Sequence, residues 1–187
     1  MTKIYIADVK NLDVDSALER VSEYRRKKAL RMKNDADKRR CLGAELLLQK
    51  VFGGEFSYAP DENGKPRAEG VYFSLSHSGN YAVCAVGESD LGVDIEQPRK
   101  NVLPAAKRFF TAEEYKKIAA SDCPEEEFCA LWVLKEACIK CSGAGLRELS
   151  SVQLSDYCTR HFIYEGYHVA VASKADLGET EIITAEI

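Results

Sequence analysis

One stretch of this chain occurs twice. Tyr81 to Gly92 and Tyr167 to Gly178 carry Tyr, Val, Asp, Leu and Gly at the same spacing, an offset of 86 residues in a chain of 187. A period near half the length constrains architecture before any single motif does. The same offset sets Leu46-Leu47-Leu48 against Trp132-Val133-Leu134. Strand-and-turn segments of similar composition can match by chance, but agreement across a strand-like and a helix-like element points to duplication. The expected fold is α+β: two similar halves related by pseudo-twofold symmetry, each a small antiparallel sheet packed on a long helix. A division near Pro98 to Pro104 gives an N-terminal half over 1–100 and a C-terminal half over 101–187.

Local patterns fill in the halves. Lys3 to Val9 alternates as a strand with Ile4 and Ile6 on one face. The chain turns helical from about Asp15 and runs through a basic stretch from Glu19 to Arg40. Leu42 to Phe52 continues as an apolar helix closed by Gly53-Gly54. Ser57 to Gly70 is loop, punctuated by Pro60, Asn63-Gly64 and Pro66. Val71 to Ser76 and Tyr81 to Val86 read as strands joined by the turn His77-Ser78-Gly79-Asn80, and Leu91 to Glu96 as a third. Ala105 to Ala120 and Glu125 to Cys141 read as helices. Val152 to Leu154, His161 to Tyr164, Tyr167 to Ser173 and Glu181 to Ile187 have strand composition.

Composition excludes several classes. With 45% hydrophobic and 30% charged residues the chain is neither disordered nor fibrous. No run of 18 apolar residues predicts a membrane span. Met1 to Val9 alternates and contains Asp8, unlike a secretory leader. Seven cysteines then suggest a reducing cytoplasm, where thiols pack or ligate. A net charge of −4 supplies no global field for nucleic acid.

Against that acidic background the basic stretch stands out: Arg25, Arg26, Lys27, Lys28, Arg31, Lys33, Lys38, Arg39 and Arg40. It is either a solvated helix face or a phosphate site. Asp94 and Glu96 lie two apart on a strand and leave the same face of its sheet. Two such carboxylates meet solvent or share a divalent cation, with Mg²⁺ the natural partner of hard oxygens. Trp132, Glu136 and Lys140 recur every four residues and share one side of a helix. Glu136 and Lys140 make an ordinary i,i+4 pair, which leaves Lys135 unexplained in an otherwise apolar helix. His77, flanked by Ser76 and Ser78 at a turn, suits anion binding or proton transfer, or is a surface turn. Cys138 and Cys141 have zinc or redox spacing but lie within a helix and read as packing residues. His161 and His168 have no partner that spacing singles out.

Taken in order, these residues resemble the 4′-phosphopantetheinyl transferases, in particular their long, two-lobed class that includes the surfactin-synthetase-activating enzymes. Gly92-Val93-Asp94-Ile95-Glu96 and Trp132-Val133-Leu134-Lys135-Glu136-Ala137-Cys138-Ile139-Lys140 match the two-part signature. Gly64-Lys65-Pro66, Phe73-Ser74-Leu75-Ser76-His77-Ser78-Gly79, Arg108-Phe109-Phe110-Thr111 with Glu113-Glu114, and Arg39 with Leu42-Gly43 match further motifs. The agreement covers about Lys27 to Gly145; Val133 departs, standing where the family has a smaller residue. The resemblance implies transfer of the phosphopantetheine arm of coenzyme A to a serine of an acyl or peptidyl carrier protein, with Mg²⁺, releasing adenosine 3′,5′-bisphosphate. It implies Asp94, Glu96 and Glu136 as metal ligands and Glu136 as the base for the serine. Lys140 and Lys135 become phosphate partners, with Lys140 the better placed for leaving-group charge. His77 and Ser76 would contact coenzyme A phosphates. Lys27, Lys28 and Arg39 would hold the 3′-phosphate, and Lys65-Pro66 would edge the adenine.

Two other readings share these features: a coenzyme A-binding or regulatory module without transfer activity, and a Mg²⁺-dependent phosphohydrolase. The repeat separates them in part. The positions two and four after Gly178 are Thr180 and Ile182, so the second copy lacks the acidic pair, and the first half lacks a Lys-Glu helix. One complete site between the halves of a monomer is the expectation. Lys107-Arg108 and Lys116-Lys117 beside Phe109-Phe110 form the candidate surface for a carrier protein.

Overall fold

The computed structural model describes residues 1–54 and 56–187. The chain runs β1 (Thr2–Asp8), α1 (Val14–Arg20), α2 (Glu23–Leu30), α3 (Asp35–Phe52), β2 (Ala59–Pro60), β3 (Pro66–Arg67), β4 (Tyr72–Ser78), β5 (Tyr81–Gly87) and β6 (Leu91–Glu96). It continues through α4 (Leu103–Phe109), α5 (Ala112–Ala119), α6 (Pro124–Ser142), two 3₁₀ turns (Leu146–Ser151 and Leu154–Asp156), β7 (Cys158–Tyr164), β8 (Tyr167–Ser173) and β9 (Thr180–Thr184). The main sheets have the orders β4-β5-β1-β9 and β6-β8-β7.

The alternation of apolar residues decides how these layers stack. Ile4, Ile6, Val83 and Ala85 of the first sheet meet Val93, Ile95, Val169 and Val171 of the second in one core. The residues between them point outward: Ala7, Ala82 and Cys84 pack under Ala44, Leu47 and Leu48 of α3. On the other side Ala170 and Ala172 pack under Val133, Ala137 and Cys138 of α6. The result is helix, sheet, sheet, helix. Both faces of β5 and β8 are covered, which explains their nearly continuous apolar sequences. The repeated segments are β5 and β8, and Val83 and Ala85 occupy the same inter-sheet face as Val169 and Val171.

The fold class is α+β as expected, with several local differences. Leu91–Glu96, read with the first half, pairs antiparallel with β8, so the acidic strand lies in the sheet of the second half. β9 crosses back to pair parallel with β1, so the first sheet is not wholly antiparallel. The helical run from Asp15 through the basic stretch to Phe52 is broken twice, each new helix having a side-chain cap: Ser22 starts α2 and Asn34 starts α3. The helix expected over Ala105 to Ala120 is two, because Thr111 and Glu114 close a capping box that starts a new helix. Val152 to Leu154 is not a strand; it joins the two 3₁₀ turns. His77 and Ser78 are strand residues paired with Ala82 and Tyr81, and only Gly79 and Asn80 make the turn. Gly79 has φ 52°, as the first position of a tight two-residue hairpin turn demands, and the Tyr167 hydroxyl fills the space where a Cβ would stand.

Candidate active site

A cleft of about 450 Å³ opens between β4, β6, α2 and α6, a size suited to a small-molecule ligand. Its floor is built by β6. Asp94 and Glu96 face α6, as their cross-strand partners Ala170 and His168 show. Asp94 is buried at 4% exposure, which excludes a solvated strand face. Gly92 lets α6 come this close: a Cβ there would collide with the backbone at Ala137 and Cys141. Trp132, Glu136 and Lys140 all line the cleft, because the side of α6 on which they recur is the one turned to it.

The edge strand β4 connects this floor to the first sheet. Ser74, Ser76 and Ser78 share one face of β4 and bond successive points on β6. The Ser74 hydroxyl accepts from Val93 N–H at 3.0 Å, Ser76 donates to Asp94 at 2.7 Å, and Ser78 donates to Glu96 at 2.9 Å. Lys140 Nζ donates to Asp94 Oδ1 at 2.7 Å and to Ser76 Oγ at 2.8 Å. Asp94 Oδ2 is buried and has no hydrogen-bond partner among the described residues. Burial, then the Asp94 charge, pushes the Glu136 carboxyl up to about 7, with Lys140 pulling the other way. Glu96 is also raised, by burial first, against the Ser78 hydrogen bond and with a further push from Asp94. The floor therefore holds an excess of negative charge that one lysine offsets incompletely.

The far wall is basic. Arg25, Lys28 and His77 line it together with Tyr24 and Tyr58. Arg25 is buried and held by Glu45 at 3.1 Å and Tyr58 at 2.8 Å, and Tyr58 also donates to Glu45 at 2.6 Å. Burial in the cleft wall, then the charges of Lys140, Arg40 and Arg25, lower the pKa of His77. The residue is nevertheless exposed on its outer side, so repulsion by these cations is the more durable cause. Arg40 donates to the Gly79 carbonyl at 3.0 Å and anchors the hairpin that carries His77.

Four basic residues singled out from sequence stand elsewhere or are already engaged. Lys27 lies on the solvent side of α2 and pairs with Glu23 one turn away. Arg39 donates to the Leu12 carbonyl and lines a separate surface depression with Asp13, Asp35 and Lys38. Lys135 points away from the cleft and is 1% exposed, with Nζ 2.6 Å from Glu114. It sits one residue from Glu136, and that step of about 100° turns it into the α4–α5 side of the helix. Lys65 borders the cleft beside Pro66, but its ammonium is consumed by Asp90 at 3.2 Å, the Leu91 carbonyl at 3.2 Å and the Cys141 carbonyl at 3.0 Å. It ties the start of β6 to the end of α6, so that Lys65, expected with Pro66 at the edge of the adenine, lines the cleft with its ammonium turned to these partners. Arg25 is the basic residue that the sequence reading did not single out from its run. Its signal is faint: Arg25, Ala29 and the α2 cap Ser22 share one face, and only the buried Arg25 and Ala29 point inward.

The model of the 4′-phosphopantetheinyl transferase superfamily matches residues 90–170, the stretch that contributes β6 and α6. A 4′-phosphopantetheinyl transferase of Bacillus subtilis is 34% identical over 157 residues, covering 76% of this chain and 70% of that protein. The chain belongs to the 4′-phosphopantetheinyl transferase superfamily. The 4′-phosphopantetheinyl transferase psf-1 of Bacillus pumilus is 30% identical, covering 84% of this chain and 74% of its own. The 4′-phosphopantetheinyl transferase ffp of Bacillus subtilis is likewise 30% identical, over 89% of this chain and 88% of its own. Membership makes the chain an enzyme of the transferase class. Among the described residues no three His, Cys, Asp or Glu side chains form a ready metal cage, and no helix is long and apolar enough to cross a membrane.

Proposed function

We propose that this enzyme transfers the 4′-phosphopantetheine arm of coenzyme A to a serine hydroxyl of an acyl or peptidyl carrier protein, releasing adenosine 3′,5′-bisphosphate. One observation carries the reading: an acidic floor and a basic wall face each other across a single cleft. A ligand with several phosphates needs the wall, and breaking its pyrophosphate needs the floor.

The floor suits Mg²⁺. Asp94, Glu96 and Glu136 offer hard oxygens, Asp94 Oδ2 is buried without a partner among the described residues, and the three carboxyls face a single lysine in the cleft floor. These three residues would hold the ion, which supplies neutralisation of charge at the pyrophosphate when bound. The chain does the rest. Lys28, Arg25 and His77 bind phosphate groups before any bond breaks, and neutral His77 takes up a proton as an anion arrives. Lys140 offers its ammonium to the leaving group. Glu136, facing the cleft one helical turn from Lys140, accepts the proton of the attacking serine, directly or through water.

The partner surface is proposed on α4 and α5, where Lys107, Arg108, Lys116 and Lys117 are exposed around the half-buried Phe109. Arg108 lies over the Phe109 ring at 4.9 Å, and Phe109 packs edge-on against Trp132 of the cleft. A basic rim beside an aromatic that touches the site suits an acidic carrier domain. We read the two halves as pseudo-twofold copies divided at about 100, working as a monomer in the cytoplasm with one coenzyme A per chain. Incubating a carrier protein with coenzyme A and Mg²⁺ and weighing the intact product tests the activity. A gain of the phosphopantetheine mass supports transfer, coenzyme A binding without a gain supports an inactive module, and coenzyme A cleavage without a gain supports a hydrolase.

A further inference from the structure

Asp94 is occupied unequally. Its Oδ1 accepts from Lys140 Nζ at 2.7 Å and from Ser76 Oγ at 2.7 Å, and Lys140 closes the triangle on Ser76 Oγ at 2.8 Å. Its Oδ2, buried on the same carboxyl, has no partner among the described residues. Leaving a buried carboxylate uncompensated is costly, and Lys140 supplies the compensating charge. The same lysine is 29% exposed at the side chain and hangs into the cleft on four flexible carbons. It can therefore change partners without moving the helix.

We propose that Lys140 is a resident counter-ion: it holds Asp94 against a divalent cation until a phosphate-bearing ligand draws the ammonium away, so that cation and ligand bind cooperatively. The proposal rests on the phosphate-ligand reading above and adds an order to it. A divalent cation taken up at the free Oδ2 would stand within a few ångströms of the ammonium on Oδ1 of the same carboxyl, so Lys140 opposes cation binding at Asp94 by charge repulsion until it leaves. Phosphate oxygens in the cleft offer the ammonium a better partner than a carboxylate already shared with Ser76. By linkage, whatever factor the ligand adds to cation affinity the cation adds to ligand affinity. The arrangement also protects the free enzyme: an adventitious divalent ion meets a neutralised carboxylate rather than an open one.

The test uses the full chain and Mn²⁺ as the probe, with free Mn²⁺ read by electron paramagnetic resonance, alone and with saturating coenzyme A. Association of Mn²⁺ with coenzyme A in buffer is measured separately and subtracted. Two variants, Lys140→Met and Lys140→Gln, are compared with the parent, and far-ultraviolet circular dichroism checks their fold. Without coenzyme A, both variants should bind Mn²⁺ at least about tenfold tighter than the parent. Coenzyme A should raise Mn²⁺ affinity in all three, through direct phosphate contact, but the enhancement should be about tenfold larger in the parent than in either variant. Lys140→Arg, which keeps the charge, should behave as the parent. Equal enhancement in parent and variants, or unchanged ligand-free affinity in both, overturns the counter-ion role. Failure of coenzyme A to bind the parent at all, measured by calorimetry, would instead overturn the functional reading on which it rests.

Discussion

Lys135 offers the sharpest contrast between what its neighbours in sequence suggest and what its neighbours in space do. Its ammonium touches Glu114 at 2.6 Å and the Leu149 carbonyl at 3.2 Å, and lies over the Phe110 ring at 5.6 Å. Lys135→Met keeps the packed stem and removes only the charge. The Leu149 carbonyl is then buried without a donor, at a cost of about 1–3 kcal/mol, and a charge-assisted bond worth about 1.5–3 kcal/mol is lost. Two effects reduce the sum. The ammonium no longer has to be desolvated, and Glu114 is not stranded, since it is 25% exposed and keeps the Thr111 N–H of its capping box. A net destabilisation of about 2–3 kcal/mol follows, which for a chain of this size lowers Tm by roughly 4–12 °C. Urea and thermal unfolding measure it, while coenzyme A titration followed by the fluorescence of the single tryptophan, Trp132 in the cleft wall, measures binding. The expected pattern is a clear stability loss with coenzyme A affinity within about twofold of the parent, since nothing in the cleft is touched. Unchanged stability with binding weakened tenfold or more would refute the placement of Lys135 and restore it as a phosphate contact.

The remaining expectations follow from the same geometry. Asp94→Asn should fold yet lose transfer by at least about a thousandfold, several kcal/mol of transition-state stabilisation; near-normal turnover in Mg²⁺ would remove Asp94 from the site. Lys28→Ala should raise the KM for coenzyme A with little change in kcat, whereas Arg39→Ala, facing another depression, should leave it alone; the reverse result would relocate the phosphate wall. Gly92→Ala forces α6 off β6 against backbone atoms, so both stability, by about 1–3 kcal/mol, and transfer should fall; an active, stable variant would mean the close approach is dispensable. Burial raises the Glu45 carboxyl, but hydrogen bonds from Tyr58, Ser22 and Arg25 outweigh it and leave the pKa below the usual value. That stabilisation is present above the unfolded pKa and lost as pH falls through the lower folded one, so between about pH 5 and 3 the parent should lose stability more steeply than Glu45→Gln.

The sequence made the site legible wherever spacing alone fixes geometry. A step of two on a strand puts Asp94 and Glu96 on one face, and steps of four on a helix put Trp132, Glu136 and Lys140 on one side. Both inferences survive because each element is buried on a defined face and cannot rotate without exposing Val93, Ile95 or Val133. What spacing does not fix is the partner of a long, flexible cation. Lys27 took the glutamate one turn back on its own helix, and Arg39, Lys65 and Lys135 found acceptors that only tertiary contacts place: the Leu12 carbonyl, the buried Cys141 carbonyl at the end of α6, and a capping-box glutamate. Arg25 became a wall of the cleft because Glu45, twenty residues on, reaches back to hold it.

The same distinction explains why the strand β6 pairs across to the second sheet. β6 follows β5 closely and shares its apolar character, so a hairpin between them would be the shortest connection. Pairing with β8 wins for a reason that is also functional. Beside β8, the outward face of β6 meets α6, and the pair of carboxylates arrives under Glu136 and Lys140. Beside β5, the same face would have met α3, whose facing residues Ala44, Leu47 and Leu48 offer no partner for an acid. The edge left open on β6 by this choice is covered by Ser74, Ser76 and Ser78 of β4, which bond one backbone donor and one oxygen of each carboxylate. The acidic strand is thus held from both sheets at once, and the cleft exists only where those two attachments meet.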